Sequence, residues 1–183
     1  MQSEELITNV MAEARRLGFR SINIDLIYGL PHQTVSSMQR TVAKIIEIAP
    51  DRLSVFNYAH LPERFKGQRQ INEADLPSPA DKLTMLGNTI NALSEAGYQY
   101  IGIDHFAKPD DELAVAQREG KLHRNFQGYT THGNCDLLGF GVSSISQIGN
   151  DYLQNASDLS EYQAAINAKR LPAVKVIKSR LPD

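Results

Sequence analysis

The feature that most constrains this chain is the repeated passage from helix-period to strand-period patterning, three times in the first hundred residues. Ser3 is a plausible N-cap, with Glu4 and Glu5 in the first turn where the helix dipole favours negative charge. Leu6, Val10, Ala14 and Leu17 then share one helical face, and Gly18 offers a left-handed stop. In the segment "FRSINIDLIYGLP", Ile22, Ile24 and Leu26 point one way while Asn23 and Asp25 point the other. Thr34 can cap a second helix with Met38, Val42, Ile45 and Ala49 as its buried stripe, and Pro50 ends it. "RLSVFNYAHLP" reads as the next strand. Ser78-Pro79 opens a third helix, with Asp81 in its first turn and Leu83, Leu86, Ile90 and Leu93 expected on its inner face. Gly97 closes it, and "YQYIGID" follows as a strand.

Helices alternating with strands predict an α/β fold built on a parallel sheet. An open sheet covered on both sides is apolar on both faces. The Asn23 and Asp25 side of the first strand is polar, which suits a barrel whose interior holds a ligand; a carboxylate that merely caps a turn at the strand end is the alternative. The pattern leaves both open.

Composition narrows function by exclusion. Nineteen basic and 21 acidic residues give a net charge of −2, without the basic excess of a nucleic-acid binder. No stretch approaches the roughly 18 apolar residues of a membrane span. "MQSEELITNV" lacks the basic and apolar regions of a signal peptide, so a cytoplasmic setting is expected. The single cysteine, Cys135, excludes an internal disulfide framework and a cluster held by several thiolates of this chain. GxSxG, HExxH and CxxC are all absent.

Candidate chemistry gathers at strand ends and in one long polar segment. Asp25, expected one or two residues before the end of its strand, accepts hydrogen bonds from hydroxyls or amines such as those of a ribose. In "FNYAHLP", Asn57, Tyr58 and His60 cluster around Ala59, which leaves room for something large; His60 alone reads more readily as a hydrogen-bonded structural residue. "PDDELAVAQREGK" is an ordinary capped helix, so His123 and Arg124 just beyond it are the better candidates to clamp a carboxylate. "HRNFQGYTTHGNCDLLGFGVSSI" is too polar for a core and too rich in rings for a plain linker. It reads as an active-site segment in which Phe126 offers an apolar face and Gln127 both a donor and an acceptor. Ile145 by itself would read as core.

"NIDLIYGLPHQT", "DRLSVFNYAHLP", "IDHFAKPDDELAVAQREGKLHRNFQGYTT" and "LLGFGVSSIS" closely resemble the oxygen-independent coproporphyrinogen III oxidase family, radical S-adenosylmethionine enzymes of heme biosynthesis. The resemblance runs from about Ser3 to Val174. The related heme chaperones share the general plan and the "LGFG" turn, but "LHRNFQGYTT" sides with the oxidases. The resemblance implies an α/β fold: the C-terminal part of a partial (β/α) TIM-like barrel of the radical S-adenosylmethionine type, with an irregular extension over the barrel mouth. Residues 1–174 would be the later portion of that barrel and 175–183 the truncated start of a C-terminal region.

It also implies two cofactors, S-adenosylmethionine and a [4Fe–4S] cluster, and oxidative decarboxylation of two propionates of coproporphyrinogen III to vinyl groups, giving protoporphyrinogen IX. The family's parent enzyme is expected to act as a monomer on this small molecule, without nucleic acid or membrane. Carried over by position, Ala59 and Ile145 would line a first bound S-adenosylmethionine, Asp25 would contact a second, and Phe126 and Gln127 would sit at the reaction centre. The family's CxxxCxxC cluster motif, its Gly-rich methionine-binding segment and its earlier strands have no counterpart here. At 183 residues the chain is also short against the about 250 of a complete barrel. It therefore resembles a fragment of the enzyme, expected to be inactive alone and, with an open strand edge, prone to self-association. A heme-binding, chaperone-like relative without oxidase activity and a non-functional gene fragment are the alternatives.

Overall fold

The computed structural model describes residues 3–178. Helix α1 (Glu4–Arg16) starts at Ser3, whose hydroxyl accepts from the Leu6 N–H at 3.2 Å. Strand β1 (Asn23–Tyr28) leads into α2 (Val35–Ile48), where Thr34 and Ser37 form a reciprocal capping box. Ala49 takes the left-handed conformation that Pro50 then locks as a stop. Strand β2 (Arg52–Asn57) is followed by two short 3-10 turns and by α3 (Pro79–Glu95), capped by Ser78. Next come β3 (Gln99–Gly102), β4 (His105–Ala107) and α4 (Glu112–Arg118), the last capped by Asp111. Beyond them lie β5 (His123–Asn125), β6 (Gly128–Thr130), β7 (Ile145–Ile148), β8 (Asp151–Asn155), α5 (Leu159–Asn167) and β9 (Ala173–Lys178). Residues 179–183, most of the segment expected to begin a C-terminal region, lie outside the described residues.

The chain divides into two compact units, one ending at Lys121 and the next starting at Leu122. In the first, the described strands form a sheet in the order β1-β2-β4-β3. β1 and β2 are parallel, joined by the α2 crossover, with Asp25 level with Ser54. The fold class is mixed α/β, but the sheet is not all-parallel. The "YQYIGID" strand reverses at once: Gly102 and Ile103, at φ 144° and 55°, turn the chain, and β4 returns antiparallel between β3 and β2. The return buries the apolar Phe106 of "HFA", which is 1% exposed between β2 and β3.

α2 and α3 cover one face of the sheet, where Met38, Val42, Leu53, Val55, Met85 and Phe106 form the core. Two expected stripes differ. On α3 the buried positions are Met85, Thr89 and Leu93, spaced four apart, and Leu83 faces solvent at 71% exposure. On α1 only Met11 is buried; Leu6, Val10 and Leu17 are exposed, and Leu6 and Val10 line a mostly apolar cleft beside β1. Periodicity shows that a helix has an apolar face but not what covers it. Here β1 has no strand on its outer edge among the described residues.

The second unit is more regular than the irregular extension the resemblance implied. β5 and β6 make a hairpin, and β7, β8 and β9 an antiparallel sheet. Of its described residues only Ala156 and Ala165 are buried.

Candidate functional site

Functional candidates occupy both units. In the first, the sheet face turned away from α2 and α3 carries Asn23, Asp25, Ser54 and His105. Asp25 is exposed, and its Oδ1 accepts from the Asn23 amide at 2.6 Å. Asn23 Oδ1 in turn accepts from the hydroxyl of Ser54 at 3.3 Å, and Ser54 is 4% exposed. The carboxylate is thus held on one side by a relay rooted in β2, with its other oxygen open for a ligand hydroxyl or amine. Asp25 lies three residues short of the end of β1 rather than one or two, because the strand extends to Tyr28.

The turn after β1 is tightly built. Gln33 Oε1 accepts from the Gly29 and Leu30 N–H groups at 2.6 and 3.2 Å, and its amide donates to the Ile27 carbonyl. Gly29 sits at φ 86°, and a Cβ there would come within 2.9 Å of the Lys82 side chain. Burial, with the Asp104 charge adding to it, pushes the Tyr28 phenol above its ordinary range.

Ala59 follows β2 in an exposed segment whose carbonyl accepts from the Gln68 amide. It lies two positions beyond the end of β2 and five beyond the residue paired with Asp25. His60 is held between the Tyr58 hydroxyl at 3.3 Å and Glu73 at 3.7 Å.

In the second unit Phe126 and Gln127 form the two-residue tip of the β5–β6 hairpin. Asn125 Oδ1 accepts from the Gln127 N–H at 2.9 Å, and Gly128 takes φ 132° to close the turn. Phe126 remains 60% exposed and sets its ring edge-to-face against Tyr152 of β8, with centroids 5.2 Å apart. The two tip residues line different clefts. Phe126 shares one of about 480 Å3 with Arg124, Asn125, Gln147 and Tyr152. Gln127 lines another with Tyr129, His132 and Cys135.

Ile145, partly buried rather than core, shares a face of the β7–β8 ribbon with Gln147 and Tyr152, so it lies on the side that Phe126 meets. Its backbone abuts Gly139, where a Cβ would come within 2.8 Å of the Ile145 carbonyl oxygen. The "LLGFG" run therefore seats this strand. Tyr152 and Gln147 carry no local signal in the sequence; only strand register brings them beside the hairpin tip. Asn23 was legible only as a member of a polar strand face, and Ser54 carried no signal of its own.

An iron–sulfur cluster does not fit the side chains present. Such clusters need several thiolates, and Cys135 stands alone and exposed. Among the described residues, no group of three or more His, Cys, Asp or Glu side chains could hold a metal ion. Nor is any described helix long and apolar enough to cross a membrane.

Comparison with known proteins gives a consistent set. No protein-family model matches the chain. It is 61% identical over 171 residues to the oxygen-independent coproporphyrinogen III oxidase of Pseudomonas aeruginosa, covering 93% of this chain and 37% of that protein. Against the Escherichia coli enzyme of the same name it is 60% identical over 166 residues, or 91% and 36%. The Synechocystis enzyme is 47% identical across the whole chain, which covers 39% of it. A solved structure of coproporphyrinogen III oxidase from Escherichia coli, described as a radical SAM enzyme, superposes with a TM-score of 0.95 at 56% identity. That match covers 98% of this chain and 42% of the solved one. The chain thus spans a little over a third of the length of the Pseudomonas aeruginosa and Escherichia coli proteins.

Proposed function

We propose that this chain, homologous over most of its length to a segment of oxygen-independent coproporphyrinogen III oxidase, forms part of the substrate- and cofactor-binding surface of that reaction. In this reading β1 and β2 are neighbouring strands of a partial (β/α) barrel, and the Asn23, Asp25 and Ser54 face looks inward. Asp25 accepts from the hydroxyl or amine groups of a second bound S-adenosylmethionine. Ala59 leaves space for the bulk of the first. Phe126 and Gln127 stand at the tetrapyrrole. Each propionate becomes a vinyl group by losing carbon dioxide, one hydrogen atom and one electron. S-adenosylmethionine, when bound at an iron–sulfur cluster, supplies the hydrogen abstraction, and the thiolates for that cluster come from outside this chain. The chain by itself is therefore inactive.

The observation that supports this best is the hairpin tip, which presents a large apolar ring and an amide to solvent from a hydrogen-bonded two-residue turn. The test is a chimera in which this chain replaces the matching segment of the Escherichia coli enzyme. It should form protoporphyrinogen IX, and Phe126→Ala or Gln127→Ala within it should lower turnover about a hundredfold, the scale of a lost positioning contact. A folded, cluster-loaded chimera without turnover, or variants as active as their parent, would reject the reading.

A further inference from the structure

The cleft beside the hairpin tip contains a cation and no acid. Its walls are Arg124, Asn125, Phe126, Gln147 and Tyr152, and its volume of about 480 Å3 is that of a small-molecule site. Arg124 and Tyr129 are cross-strand partners in the hairpin, and the guanidinium carbon lies 5.6 Å from the centre of the Tyr129 ring. A cation–π contact of this kind restrains the guanidinium. It leaves the in-plane N–H groups available, and these match a carboxylate two at a time. No Asp or Glu pairs with Arg124 among the described residues.

Beside this charge stand two rings. Phe126 meets Tyr152 edge-to-face at 81°, so a face of Phe126 stays open at 60% exposure. Gln147, the register partner of Tyr152, adds a donor and an acceptor on the same wall. An open ring face, a restrained guanidinium and an amide fit a flat ring that carries a carboxylate on a short arm.

We propose that Arg124 is the specificity-determining residue of this cleft. It binds the carboxylate of a ring-bearing acid, while Phe126 and Tyr152 pack against the ring. The inference rests on the proposed function, from which the ligand class follows: a cyclic tetrapyrrole bearing propionates, one of whose pyrrole-propionate units enters the cleft. Arg124 is then what distinguishes a substrate with free propionates from one without them.

The experiment uses the 183-residue chain and two stable probes, coproporphyrin III and its neutral tetra-amide, with binding followed by the shift and intensity of the Soret band. The acid should bind at least ten times more tightly than the amide. Arg124→Gln should weaken the acid roughly ten- to a hundredfold, the scale of one charge-assisted bidentate contact, and leave the amide unchanged. Arg124→Lys, which keeps the charge but not the fork, should fall between them. Phe126→Ala should weaken both probes alike. Far-UV circular dichroism of each variant should match the parent. A preference for the acid that survives Arg124→Gln would overturn the inference while leaving the tetrapyrrole reading intact. A parent chain that binds neither probe, or both equally, would overturn it too. Failure of the proposed function is read separately, from the turnover of the chimera.

Discussion

The two units of this chain solve different problems. The first stores its stability in a packed interior, in which Met38, Leu53, Met85, Leu93 and Phe106 are all at most 1% exposed beneath α2 and α3. The second has only Ala156 and Ala165 buried among its described residues and leaves Phe140 and Leu171 more than 80% exposed. Its order comes from short antiparallel ladders and from side chains that tie loops, such as Asn155, whose amide donates to the Gly141 carbonyl and the Ser144 hydroxyl. The difference teaches where each kind of residue can be placed. A rigid sheet holds Asp25 through buried Ser54, while a lightly packed hairpin can expose an aromatic ring that a core would have absorbed.

The comparison breaks first on the core. Phe106→Ala should cost the first unit about 3–5 kcal/mol, as deletion of a fully buried aromatic does. Urea unfolding would measure the loss, and hydrogen exchange would locate it. Amides of β2 should exchange much faster in the variant while those of β7 and β8 barely change. Equal acceleration in both would mean that the units unfold as one.

A smaller effect tests the same interior by charge. Tyr98 is 6% exposed, and its hydroxyl donates to the Pro50 carbonyl at 2.7 Å. Burial, reinforced by the Asp51 charge and partly offset by Arg15, pushes its phenol up to about 12. Below pH about 10 the phenol keeps its proton in both folded and unfolded chains, so the stabilisation is fully present. As pH rises from there toward 12, the unfolded chain loses the proton first and stability falls, by about 2 kcal/mol in all. Denaturation midpoints across this window should show that decline, and Tyr98→Phe should flatten it.

The smallest effect belongs to the second unit. Phe126→Ala should change stability by no more than about 0.5 kcal/mol, because the ring is mostly in water. A larger loss in thermal unfolding would mean that Phe126 serves the packing of β8 rather than a ligand.

Much of the first unit was legible because its signals are local. Ser3, Thr34 and Ser78 accept from backbone N–H groups within three residues, and Ala49 before Pro50 ends α2 in the left-handed region. The alternation of Asn23 and Asp25 with Ile24 and Leu26 sorted the two faces of β1 correctly. What escaped was set by distant partners. Nothing within "YQYIGIDHFA" says that the second half returns between two other strands. Nothing around Leu6 and Val10 says that their face stays uncovered. At the candidate site, motif resemblance marked Phe126 and Gln127, but not that adjacent residues at a hairpin tip enter different clefts.

By itself, then, the sequence determined the helices, their caps and stops, the two-sided character of β1 and the similarity to one enzyme family. Each of these depends on residues a few positions apart, or on an ordered set of motifs. Tertiary structure alone decided the mixed strand order, the Ser54–Asn23–Asp25 relay and the meeting of Phe126 with Tyr152, 26 positions away. Strand register fixes such contacts, and a shift of one residue would turn every side chain to the opposite face.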